Sequence, residues 1–282
     1  MKKLLVLFIV FAGIVTAQNP PALNPQDQKP DSTLGKWMPS IVTGLNISQI
    51  AYKDWAKGGN DALTWTITGD FSLKRKTDIL LFSTRLKAIY TRTKISDGQL
   101  QTADNEIYWE IVGALRLGWG VDPFFSNTVR TPITAGFNYK VTPEVQIVDF
   151  FDPGVVVQSI GFTFDKMKIV KTRLGIAAQE TFTNLYPQWS KGKNFLFESG
   201  VEAVTDMDLK LDQNLEWKST LRLFTRFESL DVWDIRFDNA VIAKVNSWLN
   251  VNFSYIVLYE KLYSPWTQTS EGLRIGIVYV II

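Results

Sequence analysis

All the ionic chemistry open to this chain of 282 residues comes from 28 acids and 30 bases, because it contains no histidine and no cysteine. Without imidazole there is no Ser-His-Asp relay, no histidine-held metal and no proton shuttle near neutral pH. Without thiols there is no thiolate nucleophile, no zinc–sulfur site and no disulfide framework. Paired carboxylates could still hydrolyse a glycoside. The acids, however, recur on the same strand faces as bases, so structural ion pairs are the better account of them. The chain is read as non-enzymatic, with no cofactor and no resident metal.

Three loop segments hold weaker chemical hints. Asp97-Gly98 with Asp104 and Glu106 could offer oxygens to Ca²⁺, but the spacing of a calcium loop is missing, and a solvated turn is the simpler reading. Trp55, Gly58 and Gly59 lie in a Gly-rich stretch that lacks the sequence context of a phosphate cradle. Tyr186 and Trp189 lie in an aromatic stretch running from Phe182. These five residues are the candidates for binding a partner through loops. A net charge of +2 gives no concentrated basic face for nucleic acid.

The elements that would position these residues follow from a side-chain period of two. About twelve strands are predicted: Trp37–Ile50, Ala62–Lys74, Asp78–Thr93, Glu106–Trp119, Arg130–Val141, Gly154–Phe164, Lys168–Glu180, Leu196–Leu211, Leu215–Glu228, Val232–Lys244, Trp248–Glu260 and Glu271–Ile282. Tight turns at Arg75-Lys76-Thr77, Asp165-Lys166-Met167, Asp212-Gln213-Asn214 and Val245-Asn246-Ser247 alternate with longer joins, with Gly120–Val129 and Ser229–Asp231 blurring the rule. Short turns at one end and long loops at the other describe a closed, antiparallel, up-and-down transmembrane β-barrel. Tryptophans gather at strand ends, where an interfacial girdle would lie. A soluble β-sandwich would share the alternation, with its apolar face inside.

The charges fall on one face. Closing a turn with Leu211 opposite Leu215 sets Asp208 against Lys218 and Lys210 against Glu216. Closing the next with Phe227 opposite Trp233 sets Arg226 against Asp234, Arg222 against Asp238 and Glu216 against Lys244. Opposite charges across a ladder favour a register by about 0.2–1 kcal/mol a pair. With Asp70, Arg85, Lys87, Glu110, Arg116, Lys171 and Arg173 they form an expected network lining the lumen. Its mixed signs argue against strong ion selectivity.

Lys2 and Lys3, the apolar run Leu4–Val15 and the small residue Ala17 read as a cleaved export signal over residues 1–17. Residues 18–36, with Pro20, Pro21, Pro25 and Pro30, read as a flexible leader, and residues 37–282 as the barrel. An even strand number leaves both termini on the short-turn, periplasmic side.

Trp55-Ala56-Lys57-Gly58-Gly59-Asn60, Gln213-Asn214-Leu215, Leu221-Arg222-Leu223-Phe224, Asp231-Val232-Trp233-Asp234 and Leu258-Tyr259-Glu260 together resemble an uncharacterised family of outer-membrane β-barrel proteins from diderm bacteria. The resemblance implies a barrel in the outer membrane and supplies no activity. Two functions are carried forward. One is passive or gated passage of a small solute through a narrow, salt-bridged lumen, with the bilayer and the solute as partners. The other is a structural or assembly role, binding an envelope protein or surface polymer through the long loops.

Overall fold

The computed structural model describes residues 33–52, 60–167, 169–185, 190–261, 264 and 266–280. The expected export signal, most of the expected leader, and the loop candidates Trp55, Gly58, Gly59, Tyr186 and Trp189 lie outside these residues.

Twelve strands close into one antiparallel barrel. Its strands are β1 (Trp37–Ile50), β2 (Ala62–Lys76), β3 (Leu80–Ile95), β4 (Gln101–Leu115), β5 (Asp122–Thr131), β8 (Gly154–Phe164), β9 (Val170–Phe182), β10 (Phe195–Asp212), β11 (Leu215–Arg226), β12 (Ser229–Lys244), β13 (Leu249–Tyr259) and β14 (Gln268–Val280). The remaining two, β6 (Gly136–Asn138) and β7 (Val145–Val148), form a separate hairpin in the loop between β5 and β8. Consecutive barrel strands pair, and β1 meets β14 to complete the ring. Closure satisfies the backbone groups that a free sheet edge would leave open.

The period of two sorts the side chains. Residues facing each other in a ladder share a side, so the pairs Asp70↔Lys87, Arg85↔Glu110 and Asp208↔Lys218 place their charges together on the inner wall. The outer wall carries Ile47, Ile67, Phe125, Ile160, Ile176, Phe197 and Ile275, each more than half exposed. Among the described residues that pair in the barrel ladders, outward charges lie towards strand ends, at Arg75, Arg92, Lys94, Glu180 and Glu271. An apolar belt of this extent has no reason to face water. A sandwich would bury it, and here it is the surface. Among the described residues no helix is long and apolar enough to cross a membrane.

Aromatic contacts mark both rims of the belt, as expected for rings sitting at a membrane interface. At the short-turn end Trp37 meets Phe82 edge-on at 5.8 Å, with the Arg75 guanidinium 5.1 Å from the Trp37 ring. At the long-loop end Trp65 meets Tyr90 at 5.8 Å, while Phe151, Phe182 and Phe195 form a run with centroid spacings of 6.1 and 5.1 Å.

The expected fifth strand was misplaced. Arg130–Val141 is not one strand: β5 runs from Asp122 to Thr131, through most of the expected join, and the chain then leaves the sheet at Pro132. Both faces of β5 mix apolar with polar residues. Phe124 is buried inward against Val112 and Ala114 while its neighbour Phe125 faces out, so alternation had nothing to sort. The corrected strand leaves a short turn after β4 and one long loop, residues 132–153, after β5. That loop is tied down at its far end by the buried Asp152 carboxylate, which accepts bonds from the Thr183 hydroxyl and from the Asn184 and Leu185 amides at 3.2 and 2.9 Å.

Candidate functional site

In the β10–β11 ladder Asp208 faces Lys218 and Lys210 faces Glu216, as expected, but a bulge beside the turn puts Asp212, not Leu211, against Leu215. The β11–β12 ladder departs further. The strands are joined by Phe227 and Glu228 alone, because β12 already begins at Ser229. A second bulge, between Thr225 and Arg226, sets Thr225 rather than Phe227 opposite Trp233. Arg226 therefore does not face Asp234 in register, Arg222 does not face Asp238, and Glu216 faces Ile242 rather than Lys244. The first irregularity leaves Leu211 unpaired and the second leaves Leu230, Asp231 and Val232 unpaired in the ladder, which no charge pattern announces.

Side-chain reach restores one of the displaced pairs. Arg226 bonds Asp234 at 2.6 Å and Glu198 at 2.6 Å, with all three side chains at most 5% exposed. Lys191 adds a contact to Glu198 at 2.9 Å. Beside this cluster Arg222 donates to Glu202 at 2.7 Å and to Gln179 at 3.0 Å. Between the two arginines lies Phe224, fully buried, with each guanidinium 5.5 Å from its ring. Phe224 packs on Val157 of β8 and Ala177 of β9. The interior on this side is filled rather than open. Glycines help it to be so: Gly161 of β8 and Gly175 of β9 face each other, and a Cβ on either would strike a carbonyl of the other strand.

The opposite contacts cross the lumen. Arg236 of β12 bonds both oxygens of Glu106 on β4, at 3.1 and 3.2 Å. Along the ring order β12-β11-β10-β9-β8-β5-β4 these strands are six steps apart, half of twelve. Glu106 is also held by Arg130 at 2.9 Å, and Arg236 by Asp238 at 2.9 Å. Two further bridges reach β4 from other walls: Arg173 of β9 to Glu110 at 2.6 Å, and Arg274 of β14 to Asp104 at 2.7 Å. Arg173 also approaches Asp206 at 3.6 Å. The inward acids of β4 thus form an anchor line to which basic side chains from three distant strands converge.

The other expected lumen residues sort by depth. Asp70 and Arg85 form a direct ion pair, and Lys87 lies between Asp70 and the Tyr108 ring, 6.0 Å from its centroid. Lys218 stands 3.4 Å from Glu216 and 3.7 Å from Asp208 at the short-turn mouth, with Lys210 and Lys244 exposed nearby. Arg116 is not in the lumen wall. It follows the end of β4, and its guanidinium reaches the Thr77 carbonyl in the adjoining turn at 3.4 Å. Beyond the end of β13, burial and the nearby Asp234 push the Glu260 carboxyl above its usual range.

Sequence reasoning missed Arg236, Arg130, Glu198, Glu202, Asp206 and Arg274 as network members. Parity could have found Arg236, which shares its face with Asp234 and Asp238. Its partner Glu106, 130 residues away, is brought to it only by closure of the ring. Asp104 and Glu106 are engaged by arginines, and with Asp97 they make no metal-holding group among the described residues.

A family model described as "Protein of unknown function (DUF3078)" matches residues 47–137, in accord with the resemblance to an uncharacterised family. No curated protein matches the chain. Among solved structures, the translocator domain of the autotransporter NalP from Neisseria meningitidis is similar at 12% identity and a TM-score of 0.37, covering 86% of this chain and 87% of that one. The NanC porin is similar at 9% identity and a TM-score of 0.39, covering 84% and 98%. An outer membrane channel from Pseudomonas putida F1 is similar at 10% identity and a TM-score of 0.38, covering 90% and 99%. Similarity this remote speaks to no ligand, which leaves the barrel's own residues to do so.

Proposed function

We propose that the chain is exported by residues 1–17, sits in the outer membrane of a diderm bacterium with both termini in the periplasm, and serves restricted passage of a small solute. The observation that carries this reading is the Glu106–Arg236 contact, a bar from one wall of the barrel to the wall opposite. Around it, acids and bases are matched so evenly that neither ion sign is favoured along the path, and Phe224 narrows the remaining space. Such a lumen stays shut to steady ion flow until a bridge lets go. A solute with polar groups of both kinds could exchange hydrogen bonds with the bar as it passes, where a simple ion could not. Nothing in the network needs a reacting group, so the role is non-enzymatic. Planar-bilayer recordings test it. The natural chain gives little or no steady current, and the Glu106→Gln, Arg236→Gln pair of changes raises it. A large open-channel current from the natural chain counts against the reading.

A second reading has one observation behind it. The loop of residues 132–153 carries its own β6–β7 hairpin and is fastened through Asp152, which is more order than an idle connection needs. Such a platform suits a structural or assembly role, with an envelope protein or surface polymer held at the long-loop end. Pull-downs with this loop deleted separate the two readings, since unchanged partners argue against binding.

A further inference from the structure

The β6–β7 hairpin does not fold over the barrel mouth. Asn105 of β4 holds the chain leading into it, accepting from the Ile133 and Thr134 amides at 2.9 and 3.1 Å and donating to the Thr134 carbonyl at 2.6 Å. Asn105 pairs with Tyr90 in the ladder, and Tyr90 touches the outward ring of Trp65, so the hairpin docks on the outer wall. A further bond, from the Thr102 amide to the Tyr139 hydroxyl at 2.8 Å, fixes its far end. Between hairpin and wall lies a cleft of about 420 Å³.

The lining of this cleft is unlike the bare apolar belt beneath it. Tyr90, Phe137 and Tyr139 supply ring faces, while Gln99, Thr102, Thr134 and Glu144 supply hydroxyl, amide and carboxylate groups. Arg92 supplies the cation. Its guanidinium donates to the Tyr90 hydroxyl at 3.0 Å and to the Leu100 carbonyl at 2.5 Å. Among the described residues no carboxylate lies within ion-pair distance of it, although the lumen arginines nearly all have one, and its buried Nε has no hydrogen-bond partner. Each terminal nitrogen spends one N–H on these acceptors and keeps a second, so a guanidinium without a carboxylate, in a pocket at the upper aromatic rim, is arranged for an anion arriving along the membrane surface. Ring faces beside hydroxyl-binding groups are arranged for a sugar.

We propose that this cleft binds the phosphorylated sugar headgroup of a glycolipid in the outer leaflet. Arg92 takes the phosphate, the tyrosine rings cover a face of the sugar, and Gln99, Thr102, Thr134 and Glu144 bond its hydroxyls. The lipid's chains then run down the apolar wall past Ile107. The volume holds a headgroup and excludes the chains, which that wall can solvate. The assignment rests on the membrane reading above, and folding of the barrel is followed separately so that the two can fail apart.

The test is native mass spectrometry of the full chain in detergent micelles doped with a phosphorylated glucosamine-based lipid or its dephosphorylated counterpart. Heat-dependent gel migration confirms that each sample is folded. The natural chain should retain the phosphorylated lipid about tenfold better, the scale of one charge-assisted contact. Arg92→Gln should lose that preference, whereas Lys36→Gln, which removes the same charge at the opposite end, should keep it. Equal retention of both lipids, or no retention of either, overturns the proposal, and this comparison stands on the natural chain alone should Arg92→Gln not fold. Glucosamine 1-phosphate or inorganic phosphate displacing the lipid at equal concentration also overturns it, by showing a site for a soluble anion.

Discussion

Arg222 and Arg236 stand directly opposite each other in the β11–β12 ladder, two like charges at one cross-strand position. Left alone that pairing would oppose the register. Each instead turns away from the other: Arg222 to Glu202 and Gln179 behind it, Arg236 to Asp238 beside it and to Glu106 across the lumen. The repulsion in the ladder and the bar across the barrel are parts of one arrangement, which gives the bar its sensitivity to substitution.

Removing one end of the bar should cost stability as well as open the path. Arg236→Gln leaves Glu106 with Arg130 alone and Asp238 without its partner. A loss of about 2 kcal/mol is expected, below the full cost of breaking a buried pair because Glu106 keeps some contact with water. A double-mutant cycle with Glu106→Gln, read by denaturant unfolding in micelles, should give a coupling above about 0.5 kcal/mol. Strict additivity would mean that the two residues do not act together.

The two ends of the network should respond differently to salt. Arg226→Gln strands the buried Asp234, leaves the buried Glu198 with Lys191 as its one cation, and should cost about 3–5 kcal/mol with little dependence on salt. Lys218→Gln, at the exposed mouth, should cost under about 1 kcal/mol, and that cost should fade at high ionic strength. Unfolding midpoints in low and high salt check both.

Phe224→Ala should destabilise by about 3–5 kcal/mol, as loss of a fully buried ring does. It should also widen the lumen beside β8 and β9, so that small uncharged sugars enter liposomes faster than through the natural chain. A stable variant with unchanged permeation would show that the ring neither packs nor narrows.

The latch at Asp152 has its own readout. Asp152→Ala removes the acceptor for two amides and a hydroxyl, and should speed protease cleavage within residues 132–153 while leaving the heat-dependent gel shift intact. Unchanged cleavage would mean that the Asn105 and Thr102 bonds and the aromatic contacts hold the loop without the latch.

The closed architecture and the sidedness of the strands were legible in the sequence because one physical cause, a period of two with most charges on a single face, writes itself into most of the strands. The Asp208↔Lys218 register could be read for the same reason. What could not be read depends on events with no local signature. Bulges at Lys210–Asp212 and Thr225–Arg226 shifted the hairpin ends. The segment Asp122–Thr131 hid as a strand because each of its faces mixes a ring, Phe124 inward and Phe125 outward, with polar residues. Arg236 and Glu106 meet only because twelve strands complete a ring, and distance along the chain conceals such partners however clear the pattern on each.

The central claim is that hydrocarbon, not water, surrounds the outer wall, and a pair of arginine substitutions tests it most directly. Ile176→Arg, on the outward face within β9, and Phe150→Arg, exposed in the loop, are compared by unfolding from lipid vesicles. The account predicts a cost of about 2–4 kcal/mol for the first and near zero for the second. Equal, small costs at both positions, with the natural chain folded and monomeric in plain buffer, would contradict it.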